Sequence, residues 1–334
     1  MSDYILTLLS DLTGNRTAGS VIISVVFLIV GFWGLIKGAD IFVDSASQIA
    51  AKLKVPLIVI GLTVVAFGTS APEAAISITS AFQNNAGIAV GNVIGSNIMN
   101  ILLILGISAL ISRLPVKKTT FRYEIPFVVL ITVVMLVLGM IGNSLDRMDG
   151  LIFILLFAVF MAYLIKLSKS GDNSLAEDVP EIDENASVLK MILLVILGIA
   201  MIVLGSDFTV SGATKIAEVI GLDDRVIGLT VVAFGTSLPE LVTSIQAARK
   251  NKVDIAIGNI IGSNIFNILF VVGISSLVSP SPIAFADSFI VDSIVAVAAA
   301  ALLWLLVLKN KRISRLGGVI MLACYAGYFT YLFL

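Results

Sequence analysis

The chain carries one polar pattern twice, in segments that are otherwise apolar enough to lie in lipid. GLTVVAFGTSAPE begins at Gly61, and GLTVVAFGTSLPE begins at Gly228, 167 positions later. The same offset relates GAD to GSD upstream, and GNVIGSNIMNILLILG to GNIIGSNIFNILFVVG downstream. Because these matches need no gap, we interpret the chain as an internal duplication.

Hydropathy identifies the chain as a polytopic membrane protein. Of its 334 residues 58% are hydrophobic and 13% are charged, and the mean hydropathy is +1.09. A helix that crosses the lipid core needs about 20 mostly apolar residues. The sequence predicts ten such spans, near 20–50, 56–81, 87–111, 123–142, 149–168, 188–217, 226–248, 254–278, 288–308 and 315–334.

The duplicated unit contains an odd number of spans. The offset maps the fourth and fifth spans onto the ninth and tenth, so we predict a five-span repeat over 1–168, an acidic linker over 169–187 and a second repeat over 188–334. An odd number of spans makes the second copy enter the membrane upside down. The predicted fold is therefore all-α, with ten transmembrane helices arranged as two inverted five-helix repeats.

Loop charges give the orientation, because Lys and Arg favour cytoplasmic loops. With the amino terminus outside, the outer segments keep little more than Arg16, Arg147, Lys215 and Arg225. We therefore expect a multi-pass protein of a prokaryotic inner membrane, with both termini outside and the linker in the cytoplasm. The inner loops would then hold Lys52, Lys54, Arg113, Lys117, Lys118, Arg122, Lys166, Lys169, Lys190, Arg249, Lys250, Lys252, Lys309, Lys311, Arg312 and Arg315.

Each copy of the pattern places a proline inside a span. Pro72 cannot donate a hydrogen bond to the carbonyl of Gly68, and Pro239 cannot donate one to Gly235, so we expect a kink or break at both places. Carbonyls released at membrane depth are tolerated where they line a cavity or find other partners, and a hard cation is one such partner.

Polar side chains recur at helical spacing beside these prolines. The second and seventh spans carry a Thr, Glu, Ser stripe, and the third and eighth carry an Asn, Ser, Asn stripe. Small residues spaced four apart on the third and eighth spans would let the helices approach closely. The stripes are Thr69, Glu73, Ser77; Thr236, Glu240, Ser244; Asn92, Ser96, Asn100; and Asn259, Ser263, Asn267.

These groups offer carboxylate, hydroxyl, amide and backbone oxygens. Oxygen ligands suit hard ions such as Ca²⁺ and Na⁺. Because carboxylates at mid-membrane are costly, a cation or a proton should neutralise Glu73 and Glu240. One Ca²⁺ balances two carboxylates, as do two Na⁺ or two H⁺. The residues therefore predict exchange at one shared site, with Na⁺ or H⁺ as the counter-ion.

Other classes of function fit less well. The chain has no histidine and a single cysteine, Cys324, and it contains no P-loop for a nucleotide. An intramembrane hydrolase using Ser or Thr with Glu as base is disfavoured, because a symmetric duplicate suits an ion site better than a catalytic one. We therefore expect no enzyme, no cofactor beyond the transported ions, no nucleic-acid or nucleotide partner, and a monomer in the bilayer.

GTSAPE with GNVIGSNIMN, and GTSLPE with GNIIGSNIFN, resemble the α-repeats of the calcium/cation antiporter superfamily, especially the prokaryotic sodium/calcium exchangers. The resemblance covers essentially the whole chain. It implies a ten-helix exchanger whose central cluster binds Ca²⁺ and several Na⁺ alternately, while the first and sixth helices slide across a static core. The implied site residues are Thr69, Ser70, Glu73, Ser96, Asn100, Thr236, Ser237, Glu240, Ser263 and Asn267.

One position departs from that pattern. Exchangers of this kind often carry an aspartate where this chain has Asn267. Two carboxylates instead of three attract cations less strongly, which weakens the case for K⁺ co-transport. An H⁺/Ca²⁺ or other cation antiporter that uses the same two glutamates therefore stays open as the alternative to Na⁺/Ca²⁺ exchange.

Overall fold

The computed structural model describes residues 16–53, 55–83, 86–169, 187–219, 233–285 and 287–332. The predicted linker lies outside these residues except at its two ends, and so does the start of the predicted seventh span.

Helices dominate the described chain. Seven of them, or eight if one bent pair counts as a single span, are long and apolar enough to cross a membrane. The helices are α1 (Arg16–Lys52), α2 (Leu57–Thr69), α3 (Ala71–Phe82), α4 (Ala86–Met99, Asn100–Leu105 and Gly106–Ile111), α5 (Thr120–Glu124 and Ile125–Met140), α6 (Arg147–Lys169), α7 (Val188–Val219), α8 (Ala233–Thr236), α9 (Leu238–Arg249), α10 (Val253–Phe266, Asn267–Val272 and Gly273–Val278), α11 (Asp287–Leu308) and α12 (Arg315–Tyr331).

The break expected from Pro72 is confirmed. The axes of α2 and α3 differ by 53°, and Ser70 between them has non-helical backbone angles, φ −84° and ψ 7°. Ser237 separates α8 from α9 in the same way. Thr69, Glu73 and Ser77 are all buried, but the bend lies between Thr69 and Glu73, so the predicted stripe runs across two helices rather than along one.

The two halves pack through equivalent contacts. On α1 and α7, a side chain at Gly38 would collide with the carbonyl of Gly198, and one at Gly31 would collide with the carbonyl of Gly205. These two close approaches are related by the 167-residue offset. They let the two long helices lie backbone against backbone, as small residues do in membrane helix pairs.

Four short strands show the same exchange of halves. They are β1 (Leu114–Pro115), β2 (Ser144–Leu145), β3 (Ile283–Ala284) and β4 (Arg312–Ile313). Strand β1 pairs with β4, and β2 pairs with β3, both antiparallel. The 167-residue offset relates β1 to β3 and β4 to β2 to within two residues, and each pair joins one strand of the first half to one strand of the second.

Helices α4 and α10 form the centre of the molecule. In the most apolar segment of α10, 94% of the residues are buried inside the protein, and in that of α4, 72% are buried. The corresponding share for α7 is 28%. The glycine-mediated approach predicted for α10 is confirmed, because Gly258 lies against Gly61, and Gly262 lies against Ala66. Gly91 of α4 instead faces Phe289.

An ionic cluster on α1 is formed by residues that the duplication does not repeat. Lys250 Nζ lies 3.0 Å from Asp40 Oδ1 and 2.8 Å from Asp44 Oδ2, and Lys252 Nζ lies 2.8 Å from Asp44 Oδ1. Asp40 therefore pairs between helices. The positions equivalent to Asp44, Lys250 and Lys252 are Ser211, Gln83 and Asn85.

We expect Asp44 and Lys252 to be energetically coupled. A double-mutant cycle of Asp44→Asn and Lys252→Gln should give a coupling of about 0.5–1 kcal/mol, since the pair is partly exposed. The free energy of unfolding, measured in mild detergent with increasing SDS, reports the cycle. Lys309→Gln replaces an exposed lysine outside the cluster and serves as the control. Strict additivity of Asp44→Asn and Lys252→Gln would contradict the expectation.

Candidate functional site

The two helix breaks meet at the centre of the protein, and each break reaches across to the carboxylate of the other half. Glu73 and Glu240 lie in the first turn of α3 and α9, and each is 1% exposed. Ser70 Oγ donates to Glu240 Oε1 at 2.6 Å, and Ser237 Oγ donates to Glu73 Oε1 at 3.4 Å. The serines at the breaks therefore bridge the two repeats.

Amides join α4 to α10 beside these carboxylates. Asn97 Nδ2 donates to the carbonyl of Asn264 at 3.3 Å, and Asn264 Nδ2 donates to the carbonyl of Asn97 at 3.2 Å. Asn100 Nδ2 donates to Asn264 Oδ1 at 3.0 Å, and Asn267 Nδ2 donates to Asn97 Oδ1 at 3.3 Å. All four amide side chains of the crossing are thereby held, while the oxygens of Asn100 and Asn267 have no hydrogen-bond partner among the described residues.

A π-helical stretch begins at each of the two site asparagines. The stretches are Asn100–Leu105 in α4 and Asn267–Val272 in α10. A π-helical turn widens the helix locally and is frequent at functional sites. Here the same distortion occurs in both halves, and it begins at the asparagine that bonds to the opposite helix.

The remaining predicted residues lie around this centre but are not all equivalent. Thr69 Oγ1 donates to Asn259 Oδ1 at 3.0 Å, and Ser263 Oγ lies 3.5 Å from the carbonyl of Ala66. Ser96 Oγ lies 3.4 Å from Ser237 Oγ. Thr236 is half-buried, whereas Thr69 is 1% exposed. The structure thus gathers both motifs at one place.

A second pair of amides orients the helices that carry the carboxylates. Asn92 Nδ2 donates to Ser77 Oγ at 3.0 Å, and Asn259 Nδ2 donates to Ser244 Oγ at 2.9 Å. These bonds fix α3 against α4 and α9 against α10. The two asparagines therefore position the helices that carry Glu73 and Glu240, and their amide nitrogens are already engaged in these bonds.

Four buried oxygens at this centre have no hydrogen-bond donor among the described residues. Two are carboxylate oxygens and two are amide oxygens, and each half contributes one of each kind. An unsatisfied buried acceptor is costly, so a set of four converging from two repeats requires an explanation. The atoms are Glu73 Oε2, Glu240 Oε2, Asn100 Oδ1 and Asn267 Oδ1.

The site also lacks a basic partner. No Lys or Arg of the described ranges lies within ion-pair distance of Glu73 or Glu240. A hard cation accepts oxygen ligands from carboxylates, amides, hydroxyls and carbonyls. The arrangement can therefore bind a cation with charges and dipoles that the protein leaves unsatisfied.

Sequence reasoning missed Asn97 and Asn264. Both lie in the duplicated GSN of the third and eighth spans, one residue after the serines that were predicted. Their equivalence under the 167-residue offset was the available signal. Their contribution is structural, since each donates to the backbone of the opposite helix.

Known proteins resemble the chain over almost its full length. A family model described as sodium/calcium exchanger protein matches residues 23–166 and 190–334. A putative antiporter, CaxA of Alkalimonas amylolytica, is 41% identical, and the match covers 93% of this chain and 99% of CaxA. The sodium/calcium exchanger MaX1 of Methanosarcina acetivorans is 33% identical, with coverages of 93% and 99%.

The fold is similar to that of a solved exchanger. A structure of the sodium-calcium exchanger NCX_Mj, soaked with Na⁺ and Ca²⁺, superimposes with a TM-score of 0.79 at 35% sequence identity. The match covers 91% of this chain and 97% of that one. Together with the family model, which matches both halves, this establishes that the chain is a multi-pass membrane protein of the sodium/calcium exchanger family.

Proposed function

We propose that the protein is a secondary-active antiporter that exchanges Ca²⁺ for Na⁺ at the centre between the two helix breaks. The observation that carries this proposal is the set of four unsatisfied oxygens on Glu73, Glu240, Asn100 and Asn267. Hydroxyls and carbonyls of the breaks would complete the six to eight oxygen ligands that Ca²⁺ takes. The ten residues named from the sequence are proposed as this ion site.

Charge balance supports exchange rather than simple binding. Two buried carboxylates without a basic partner are neutralised by one Ca²⁺ or by two monovalent cations. Ca²⁺ and the monovalent cations therefore compete for the same two carboxylates. Either kind of ion can neutralise the site in the absence of the other. Relatives named as an exchanger and an antiporter are consistent with this function.

We also propose ten membrane helices in two inverted repeats, with both termini outside in a prokaryotic inner membrane. In this arrangement α2 with α3, and α8 with α9, each make one broken span, and α12 is the tenth. The exchange-symmetric strand pairs and amide bonds support the repeat. The basic residues predicted for the inner loops support the orientation.

Alternating access follows from how the two halves differ. Helix α2 is packed against α10 through Gly61 and Gly258, which closes the inner side in the proposed orientation. On the outer side, a cavity of about 100 Å³ is lined by Asn92, Ser96 and Tyr328 among others. Exchanging the packing of the two halves would close the outer side and open the inner one.

Proton coupling is the second candidate, and Asn267 is the observation that favours it. Its amide replaces an acid that often occurs in this kind of exchanger, so two carboxylates remain to be neutralised. Two protons can replace one Ca²⁺ at these carboxylates as well as two Na⁺ can.

The first prediction concerns the carboxylates. In proteoliposomes, Glu73→Gln and Glu240→Gln should each lower Ca²⁺ uptake by about thirtyfold or more, because losing one partner of a buried charge interaction costs about 2 kcal/mol or more. Uptake of radioactive Ca²⁺ into Na⁺-loaded vesicles is compared with K⁺-loaded vesicles and with an imposed pH gradient.

Glu124→Gln is the matched control, since Glu124 is equally buried and also has one carboxylate oxygen without a donor, but it bonds to Tyr163 and lies outside the duplicated motifs. Uptake that follows the pH gradient and ignores Na⁺ would replace Na⁺ with H⁺ as the counter-ion. Full uptake in both glutamine variants would exclude these carboxylates as the ion site.

The second prediction concerns the amide. Asn267→Asp adds a carboxylate at an unsatisfied oxygen, so we expect the half-saturating Ca²⁺ concentration to fall by about tenfold, a gain of about 1.4 kcal/mol. Asn92→Asp, at an amide engaged with Ser77 instead of the centre, should not give this gain. An unchanged half-saturating concentration in Asn267→Asp would place its oxygen outside the ion's coordination shell.

A further inference from the structure

The second helix break is held by a hydroxyl from α7. Ser206 Oγ donates to the carbonyl of Gly235 at 2.8 Å. Ser206 is 5% exposed, and Gly235 is buried. Helices α7 and α8 are in close contact here, since a side chain at Gly235 would overlap Val210 of α7.

The carbonyl of Gly235 needs this donor because of Pro239. In a continuous helix the amide of the residue four positions later would bind that carbonyl, but proline has no N–H. A buried carbonyl without a donor costs free energy comparable to a lost hydrogen bond. Ser206 supplies from a neighbouring helix the bond that the broken helix cannot make.

The first repeat has the same broken helix without the same hydroxyl. Pro72 releases the carbonyl of Gly68, but the residue equivalent to Ser206 is Ala39. No side-chain donor to the carbonyl of Gly68 is seen in the described part of the chain, and a side chain added at Gly68 would meet Ile199 of α7 and Phe42 of α1. The duplicated motif therefore differs in one hydroxyl.

Gly235 lies next to the site. Two residues later, Ser237 Oγ is 3.4 Å from Glu73 Oε1. Helix α7 thus contacts the ion site through a short path, from the hydroxyl of Ser206 through the backbone of the break to the carboxylate.

We propose that Ser206 is a positioning residue that ties α7 to the second break in the conformation described here and thereby makes the two conformations of the transport cycle unequal in energy. This rests on the proposed function, in which α1 and α7 move relative to the breaks. If the two halves exchange their packing, Ala39 takes the place beside Gly68 that Ser206 has beside Gly235. Alanine has no hydroxyl and cannot make the bond, so the hydroxyl of Ser206 stabilises only the conformation described here.

The expected effect follows from population shift. A bond made in one of two conformations changes their ratio, and a ligand's apparent affinity at each face follows the population open to that face. One buried hydrogen bond corresponds to a change of about fivefold. Ser206→Ala and Ala39→Ser should both shift the ratio toward the opposite conformation.

The test measures half-saturating Ca²⁺ at each membrane face, in right-side-out and inside-out vesicles. We expect Ser206→Ala to raise the outer value relative to the inner one by about fivefold, Ala39→Ser to shift it in the same direction, and Ser206→Thr to retain the wild-type ratio. A purely structural role would lower the amount of active protein and leave the ratio unchanged.

A second measurement does not depend on transport. Amide hydrogen exchange over residues 233–240 should be faster in Ser206→Ala and normal in Ser206→Thr. Unchanged exchange together with an unchanged affinity ratio would overturn the role of Ser206. Absence of Ca²⁺ transport in the wild type would overturn the proposed function instead, and faster amide exchange in Ser206→Ala would still establish the tie. If Ala39→Ser is not produced as folded protein, the comparison of Ser206→Ala with Ser206→Thr is sufficient for the test.

Discussion

The structure depends on placing two carboxylates in the interior of a membrane protein without a basic partner. Burial of Glu73 and Glu240 carries a desolvation cost, and hydrogen bonds such as those from Ser70 and Ser237 offset only part of it. The broken helices follow from this requirement, because a continuous helix would bind its own carbonyls and offer nothing to a cation. The amide crossing of α4 and α10 follows as well, since it holds the two halves of the site together.

Duplication supplies a site with matched halves, and the differences between the halves determine which conformation is favoured. The amide bonds, the strand pairs and the glycine contacts of α1 with α7 are equivalent in the two halves. Other contacts differ between the halves, among them the ion pairs of Asp44 with Lys250 and Lys252, and the bond from Ser206. Both join a long peripheral helix to the core. A transporter with two identical halves would have no preferred side.

Much of the fold could be predicted from the sequence because lipid removes most alternatives. Long apolar runs must be helices, and the position of Pro72 fixed the break between α2 and α3. The predicted stripe of Thr69, Glu73 and Ser77 crosses that break, and residue spacing could not give the 53° change of helix axis within it. Asn97 and Asn264 were missed although the repeat marks them, since their partners lie on the opposite helix and no spacing within one helix reveals those contacts.

The sequence by itself determined the apolar helices, the duplicated motifs, the helix breaks and the family, because these depend on hydropathy, on local backbone chemistry and on order along the chain. Only the tertiary structure decided which serine meets which glutamate, which oxygens lack a donor, and that Asp40 pairs with Lys250. It also showed that one released carbonyl, at Gly235, is bound by another helix. These contacts join residues far apart in the chain, and their geometry follows from how the helices pack rather than from the spacing within any one of them.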